Sequence, residues 1–357
     1  MSADDSAPSP GLGSQRTGTA TSEGTGGAHR APAEPTEERV LRLGDVLGRD
    51  AGGLIVLLVL FGGLTLASNE FLTPGNLGNL ARQVAIFGII AAGELLVILT
   101  AGIDLSVGSL LALTGCVTAQ LLVHGWPVPA AIVVGLLVGA GLGMFNGMLV
   151  ARAKLPPFIV TLGMLGIARG VVLVLTNAST VQPLPPSFGA IANGSVLGVP
   201  NLLWIFAIVV VLTAFVLRRT VFGRYVYAVG SNQESARLAG VPVSAVQVSV
   251  YGLSGLLAAV GGVLFASRLS AGIPTGGEGY ELNAIAACVI GGASLFGAKG
   301  GAFGAAAGAL IVGTLNNGGN LLAINAFYLE IIIGGLILAA VFFDQFQARR
   351  RASAGSG

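Results

Sequence analysis

Ten stretches of the chain are long, apolar and nearly free of charge. They lie near 51–67, 81–100, 105–123, 128–150, 157–176, 201–217, 246–266, 283–297, 301–319 and 324–343. A helix needs about 20 apolar residues to cross the hydrocarbon layer. In lipid, only helices and closed barrels satisfy their own backbone polar groups. The runs are continuous and do not alternate, which argues against a β-barrel. The expected fold is therefore an all-α polytopic membrane protein of about ten transmembrane helices. Composition agrees, with 54% hydrophobic and 10% charged residues, where a soluble domain carries about 25% charged. The eighth stretch is short for a straight span, so a broken or tilted element is expected there.

Charge sets the orientation. With ten spans and the N-terminus inside, the inner segments are 1–50, 101–104, 151–156, 218–245, 298–300 and 344–357. Of the 18 Lys and Arg residues, all but Arg82, Arg169 and Arg268 fall there. The positive-inside rule thus places both termini and the 218–245 loop in the cytoplasm. Residues 1–48 are rich in Ser, Thr, Gly, Ala, Pro and Glu. Such a composition cannot bury a core, so a disordered cytoplasmic tail is expected. The membrane domain then covers 49–348, and 349–357 is a short basic tail. The polar stretch 177–200 reads as an outer loop that holds a short interfacial element.

Within the 218–245 loop, Ser231 and Glu234 have capping-box spacing, and Gly240 then Pro242 stop the helix they would start. A capped helix on the cytoplasmic side of a membrane protein suits the docking of a partner protein. Two acids stand in or beside spans. Asp104 reads as a cap for the third span, together with Ser106, or as a transport residue. Glu94 reads as a functional group or as the partner of Arg82 or Arg169. Asn146, Thr161, Asn283 and Asn316 are neutral hydrogen-bonding groups that suit either an uncharged polar solute or contacts between helices. Gly135, Gly139, Gly143 and Gly147 form one ridge for close helix packing. Cys116 and Cys288 read as small buried hydrophobes. No metal-ligand cluster, bound cofactor, catalytic constellation or nucleic-acid patch is legible. The segment 291–301 lacks the Gly-Lys-Ser/Thr order of a phosphate loop.

Several stretches together resemble the permease subunits of ribose-type (monosaccharide) ABC importers. They are GIDLSVGS (102–109), LPPFIVTLGMLGIARG (155–170), FGRYVYAVGSNQESARLAGVPV (222–243) and IAACVIGGASLFGAKGGAFGAAAGAL (285–310). The resemblance spans roughly 71–343. It implies a non-catalytic transport subunit in the bacterial inner (plasma) membrane, surrounded by membrane lipid. Its implied partners are two ABC ATPase subunits, an extracytoplasmic sugar-binding protein and a second permease copy. The implied coupling helix runs from Asn232 to Ala239, with Glu234, Ala236 and Arg237 within it and Gly240 ending it. Alternating access would carry a ribose- or xylose-like sugar past candidates Glu94, Asp104, Asn146, Thr161, Asn283 and Asn316. A stand-alone secondary transporter, or an ABC permease for nucleosides or branched-chain amino acids, remains the alternative.

Overall fold

The computed structural model describes residues 55–354. Within the last helix, the side chains at 340, 343, 344 and 347–354 are outside that description. The tail expected at 1–48 and the arginines at 349–351 therefore lie outside the described side chains. Thirteen helices follow one another: α1 (Ile55–Ala67), α2 (Pro74–Leu99), α3 (Val107–Val123), α4 (Val128–Ala151), α5 (Pro157–Thr176), α6 (Pro186–Asn193), α7 (Asn201–Arg219), α8 (Val221–Ser231), α9 (Gln233–Leu238), α10 (Val243–Leu269), α11 (Tyr280–Ile290), α12 (Ala302–Leu321) and α13 (Ala326–Ala354). A two-residue hairpin, β1 (Ser195–Val196) with β2 (Val199–Pro200), sits before α7. The described chain is an all-α membrane protein.

Among the described residues, five helices, α2, α4, α5, α7 and α10, are long and apolar enough to cross a membrane. In α12, Asn316, Asn317 and Asn320 dilute the apolar character of a helix of similar length. Burial sorts the long helices. In α2 and α10, 89% and 61% of the span is buried, against 22–28% for α4, α5 and α7. Hence α2 and α10 form the heart of the bundle, and α4, α5 and α7 face lipid or a partner.

Close backbone approach holds α4 to α10. Gly135, Gly139, Gly143 and Gly147 are all buried, as the ridge predicted. A methyl at Gly139 would come within 2.6 Å of the Gly255 carbonyl oxygen and 2.5 Å of Ala259 Cβ. Packing of this kind replaces the hydrophobic drive that lipid removes.

The 177–200 loop holds α6, whose N-terminus is set by Pro185 and Pro186. Ser267 fastens it from α10, donating to the Phe188 carbonyl at 2.6 Å and accepting from the Ala192 N–H at 3.1 Å. The eighth stretch is broken, as its length suggested. Residues 270–279 are irregular, α11 lasts only 11 residues, and 291–301 form turns. Irregular backbone at depth needs internal partners. Arg169 supplies one, donating to the carbonyls of Pro274 at 2.7 Å and Gly276 at 3.2 Å.

We expect Gly139→Leu to push α4 off α10 at a cost of about 1–3 kcal/mol or more. Gly141→Leu should be silent, because nothing lies within 4 Å of that position. Thermal midpoints of the two variants in detergent, read by size-exclusion of the surviving monodisperse protein, check this contrast.

Candidate functional site

Two polar regions stand out, and the first is the loop between α7 and α10. Thr220 caps α8 by accepting from the Gly223 N–H at 3.1 Å. Gly223, Val226, Val229 and Gly230 form its buried face. Helix α8 is absent from the expectations above, although Phe222, Tyr225, Val226 and Val229 recur at helical spacing. Burial pushes the Tyr227 phenol above its usual range, and Arg218 opposes that shift. The hydroxyl thus stays a donor at neutral pH, and it donates to the Gly300 carbonyl at 2.9 Å.

The cap of α9 is Asn232, not Ser231. Ser231 is the last residue of α8, and extended backbone at Asn232 separates the helices. The Asn232 side chain accepts from the Ser235 N–H at 2.9 Å, which satisfies one of the free donors of a helix start. Ala236 is buried and seats the helix. Gly240, at φ +82°, ends it, and the Val241 N–H closes back on the Ala236 carbonyl at 3.0 Å. Such a left-handed stop suits glycine. Glu234 and Arg237 pair at 3.3 Å on the exposed side. Arg237 also borders two clefts. One, of about 590 Å³, includes Arg152, Pro242 and Ser244. The other, of about 390 Å³, includes Lys154, Pro156, Gln233 and Gln247. The α9 surface is thus a short, doubly terminated helix flanked by clefts and cations.

The second region is a buried polar network where the chain climbs from α2 to α3. The Asp104 carboxylate accepts from the Ser106 hydroxyl at 2.6 Å, the Ser106 N–H at 3.0 Å and the Ser254 hydroxyl at 2.9 Å. The Asp104 N–H donates to Glu94 Oε1 at 3.1 Å. Asn146 donates to Ser106 Oγ at 3.1 Å, and Thr161 donates to the Ile103 carbonyl at 3.1 Å. The side chains of Glu94, Asp104, Ser106, Asn146, Thr161 and Ser254 are all buried. Ser254 lies near the middle of α10, so the network sits inside the bundle.

Four of the six path candidates, Glu94, Asp104, Asn146 and Thr161, therefore meet in one network. Asn283 lies on α11 with its side-chain oxygen unbonded, and Asn316 bonds back to its own helix at Val312. Glu94 pairs with neither arginine. Arg169 is spent on residues 274–276, and Arg82 stands 12 residues earlier on α2, roughly 18 Å away along the axis. Asp104 does not cap α3 in the usual way. The helix begins after Ser106, whose side chain makes no capping bond, and Asp104 instead holds Ser106 itself. Tyr251 and Ser254 escaped the sequence reading, although their three-residue spacing in an apolar run marks one helical face. Glu94 Oε2, Asn146 Oδ1 and the Tyr251 hydroxyl are buried without a hydrogen-bond partner. Both cysteines are buried and free. Among the described residues, no three His, Cys, Asp or Glu side chains are grouped to hold a metal ion.

Residues 76–341 match the family described as branched-chain amino acid transport system / permease component. The ribose import permease of Escherichia coli (strain K12) is 45% identical over 295 residues, covering 82% of this chain and 92% of its own. The ribose import permease of Bacillus subtilis (strain 168) is 43% identical, covering 82% and 91%. The D-allose transport system permease of Escherichia coli (strain K12) is 41% identical over 293 residues, covering 82% and 89%. No solved structure matches the chain. With a family match along most of its length and relatives this similar over four-fifths of it, the chain belongs to this permease family, as a multi-pass cell-membrane permease of the sugar ABC importer type.

Proposed function

We propose that the chain is the membrane subunit of an ATP-driven importer for a ribose- or xylose-like monosaccharide. It works by alternating access between the two sides of the membrane. The observation that carries this is α9, a capped helix presented beside clefts at one end of the bundle. Separate cytoplasmic ATPase subunits dock there, with Arg237 and Glu234 at the contact and Asn232, Ala236 and Gly240 fixing the helix. ATP hydrolysis belongs to those subunits, and an extracytoplasmic binding protein delivers the sugar.

The sidedness has a structural support. Three segments with basic residues, the 151–156 loop, α8–α9 and 294–300, come together with the uncharged residues 99–102. Ala298 donates to the Leu99 carbonyl at 3.0 Å, and Arg152 and Arg237 share a cleft. Ten spans with both termini cytoplasmic fit that arrangement, with α3 and α11 as partial crossings. Two copies form the pore. On α5, Gly163, Gly166 and Gly170 meet nothing within 4 Å, and a bare glycine face suits close contact with a second helix in lipid.

Glu94, Asp104, Asn146, Thr161, Asn283 and Asn316 remain the candidates for the sugar path. The first four form a network that is occluded in this conformation, so the sugar meets them only when the spans tilt. A stand-alone, ion-coupled transporter is the second reading, favoured by two acids buried together. It leaves the α9 surface without a role. The names of the relatives favour a sugar over a nucleoside or a branched-chain amino acid.

Two outcomes are expected. Arg237→Glu should stay folded, lose the co-purifying ATPase and lose sugar uptake. Uptake at the wild-type rate would count against docking at α9. Asp104→Ala should strand three buried donors at a cost of about 1–3 kcal/mol for each one left unpaired. Asp104→Asn keeps an acceptor oxygen and should lose less. Thermal midpoints in detergent, with uptake measured alongside, rank the two, and equal destabilisation would mean the network does not hold the 100–106 segment.

A further inference from the structure

Helix α9 is tied to the membrane domain by the end of α8, with only Ser231 and Asn232 between Gly230 and the first residue of α9. That tie is tight. Gly230 lies against the Leu99 carbonyl oxygen so closely that a methyl there would overlap it, and the same methyl would stand 2.8 Å from the Ala298 N–H. Ala298 in turn donates to Leu99 O at 3.0 Å. One helical turn back, the Tyr227 hydroxyl donates to Gly300 O at 2.9 Å. The C-terminal half of α8 is thus keyed into a seam between the last residue of α2 and the turn before α12.

The seam leads inward. Four residues beyond Leu99, the Ile103 carbonyl accepts from Thr161 of α5. One residue further, Asp104 is bonded to Ser254 of α10 and Glu94 of α2. Between these points, the Tyr251 hydroxyl would stand 2.6 Å from a methyl at Gly102. No slack coil intervenes between the cytoplasmic helix and the span with the bare glycine face. Coupling across such a distance needs a chain of packed or bonded groups that shifts as a unit, and this one is continuous.

We propose that Gly230 and Tyr227 are positioning residues for coupling: they make α8 the strut that passes a displacement of α9 to residues 99–106, and through Thr161 to α5. This rests on the docking of ATPase subunits at α9. It separates two roles within one loop. The α9 surface binds the motor, and the buried face of α8 transmits its motion without touching it.

The test uses the complete importer in proteoliposomes, with the ATPase that co-purifies with wild type and the binding protein. Radiolabelled ribose and xylose serve as probes. Co-purified ATPase, ATP turnover and sugar moved per ATP are measured for wild type, Gly230→Ala, Tyr227→Phe and Arg224→Ala. Arg224 is on the exposed face of α8 and serves as the control. Gly230→Ala and Tyr227→Phe should retain the ATPase and its turnover. Sugar per ATP should fall about tenfold in the first and about threefold in the second, and stay unchanged in Arg224→Ala. Tyr227→Phe removes a single oxygen, so it decides the matter if Gly230→Ala fails to fold. An unchanged ratio in the folded variants overturns the strut. Loss of the ATPase from both variants, but not from Arg224→Ala, makes α8 a docking surface and overturns it too. A wild type that brings down no ATPase instead overturns the importer reading on which the strut depends.

Discussion

Every peptide group inside a membrane protein must find a partner within the protein, because lipid offers none. In a continuous helix the backbone meets that demand alone. Besides the 291–301 turns, this chain breaks the pattern at 100–106 and at 270–279, and much of the interior is arranged around those two breaks. Each break ends at the start of a short helix, α3 or α11. The two breaks meet where Gly277 packs on the first turn of α3 beside Gly108. Backbone that would be unsatisfied in lipid is met there by side chains of two long helices, Glu94 on α2 and Thr161 and Arg169 on α5, while Asn146 on α4 and Ser254 on α10 hold the side chains of Ser106 and Asp104.

The charged residues buried in the bundle gain a common explanation. Ionisable groups in spans are costly and usually mark function. Here three of them first serve the backbone. Glu94 accepts the Asp104 N–H, Asp104 accepts the Ser106 N–H, and Arg169 donates to two carbonyls of the 270–279 segment. Arg169 is thereby accounted for as an exception to the positive-inside rule. Arg268, another exception, donates to Asn79 at 2.7 Å, joining the C-terminal end of α10 to the N-terminal part of α2. Structural and transport roles do not compete in such a place. A segment held by hydrogen bonds to several helices shifts whenever those helices tilt, so groups that stabilise one conformation are also placed to respond to the next.

How much of this was legible in the sequence depended on range. Local signals carried well. Long apolar runs located α2, α4, α5, α7 and α10, the glycine ridge marked the packing face of α4 without naming its partner, and the Gly240 stop located the end of α9. The start of α9 was misplaced by one residue. Ser231 and Asn232 are both good caps, and only the continuation of α8 through Ser231 decides between them. The partner of Glu94 was misassigned for a different reason. An acid in a span invites a search for a cation, whereas its partner was a backbone N–H ten residues on, brought near by a climb of the chain that no periodicity announces. Tyr251 and Ser254 share a helical face by their spacing, but nothing in the spacing says that this face meets Asp104 across the bundle. The grouping of Glu94, Asp104, Asn146 and Thr161 could not be read from spacing, because they come from three helices and a connecting segment.

The same constraint bears on where a driven motion can enter. A helix whose backbone is fully bonded and whose sides contact only lipid moves as a rod and transmits little to its neighbours. A broken segment is different, because its hydrogen bonds run sideways to other elements. The 99–106 segment is bonded to α2, α5 and α10 and is touched at its inner end by α8. The 294–300 turn, which follows the other broken span, meets α8 at the same place through Tyr227 and Ala298. Both irregular spans therefore meet one helix, α8. A force applied beside α8 reaches the bundle where its backbone is least self-contained, and where a small displacement must re-partner several buried groups at once. That makes a stepwise change between two bonded arrangements a more natural response than a graded bend, since partly broken buried hydrogen bonds are the costly intermediate.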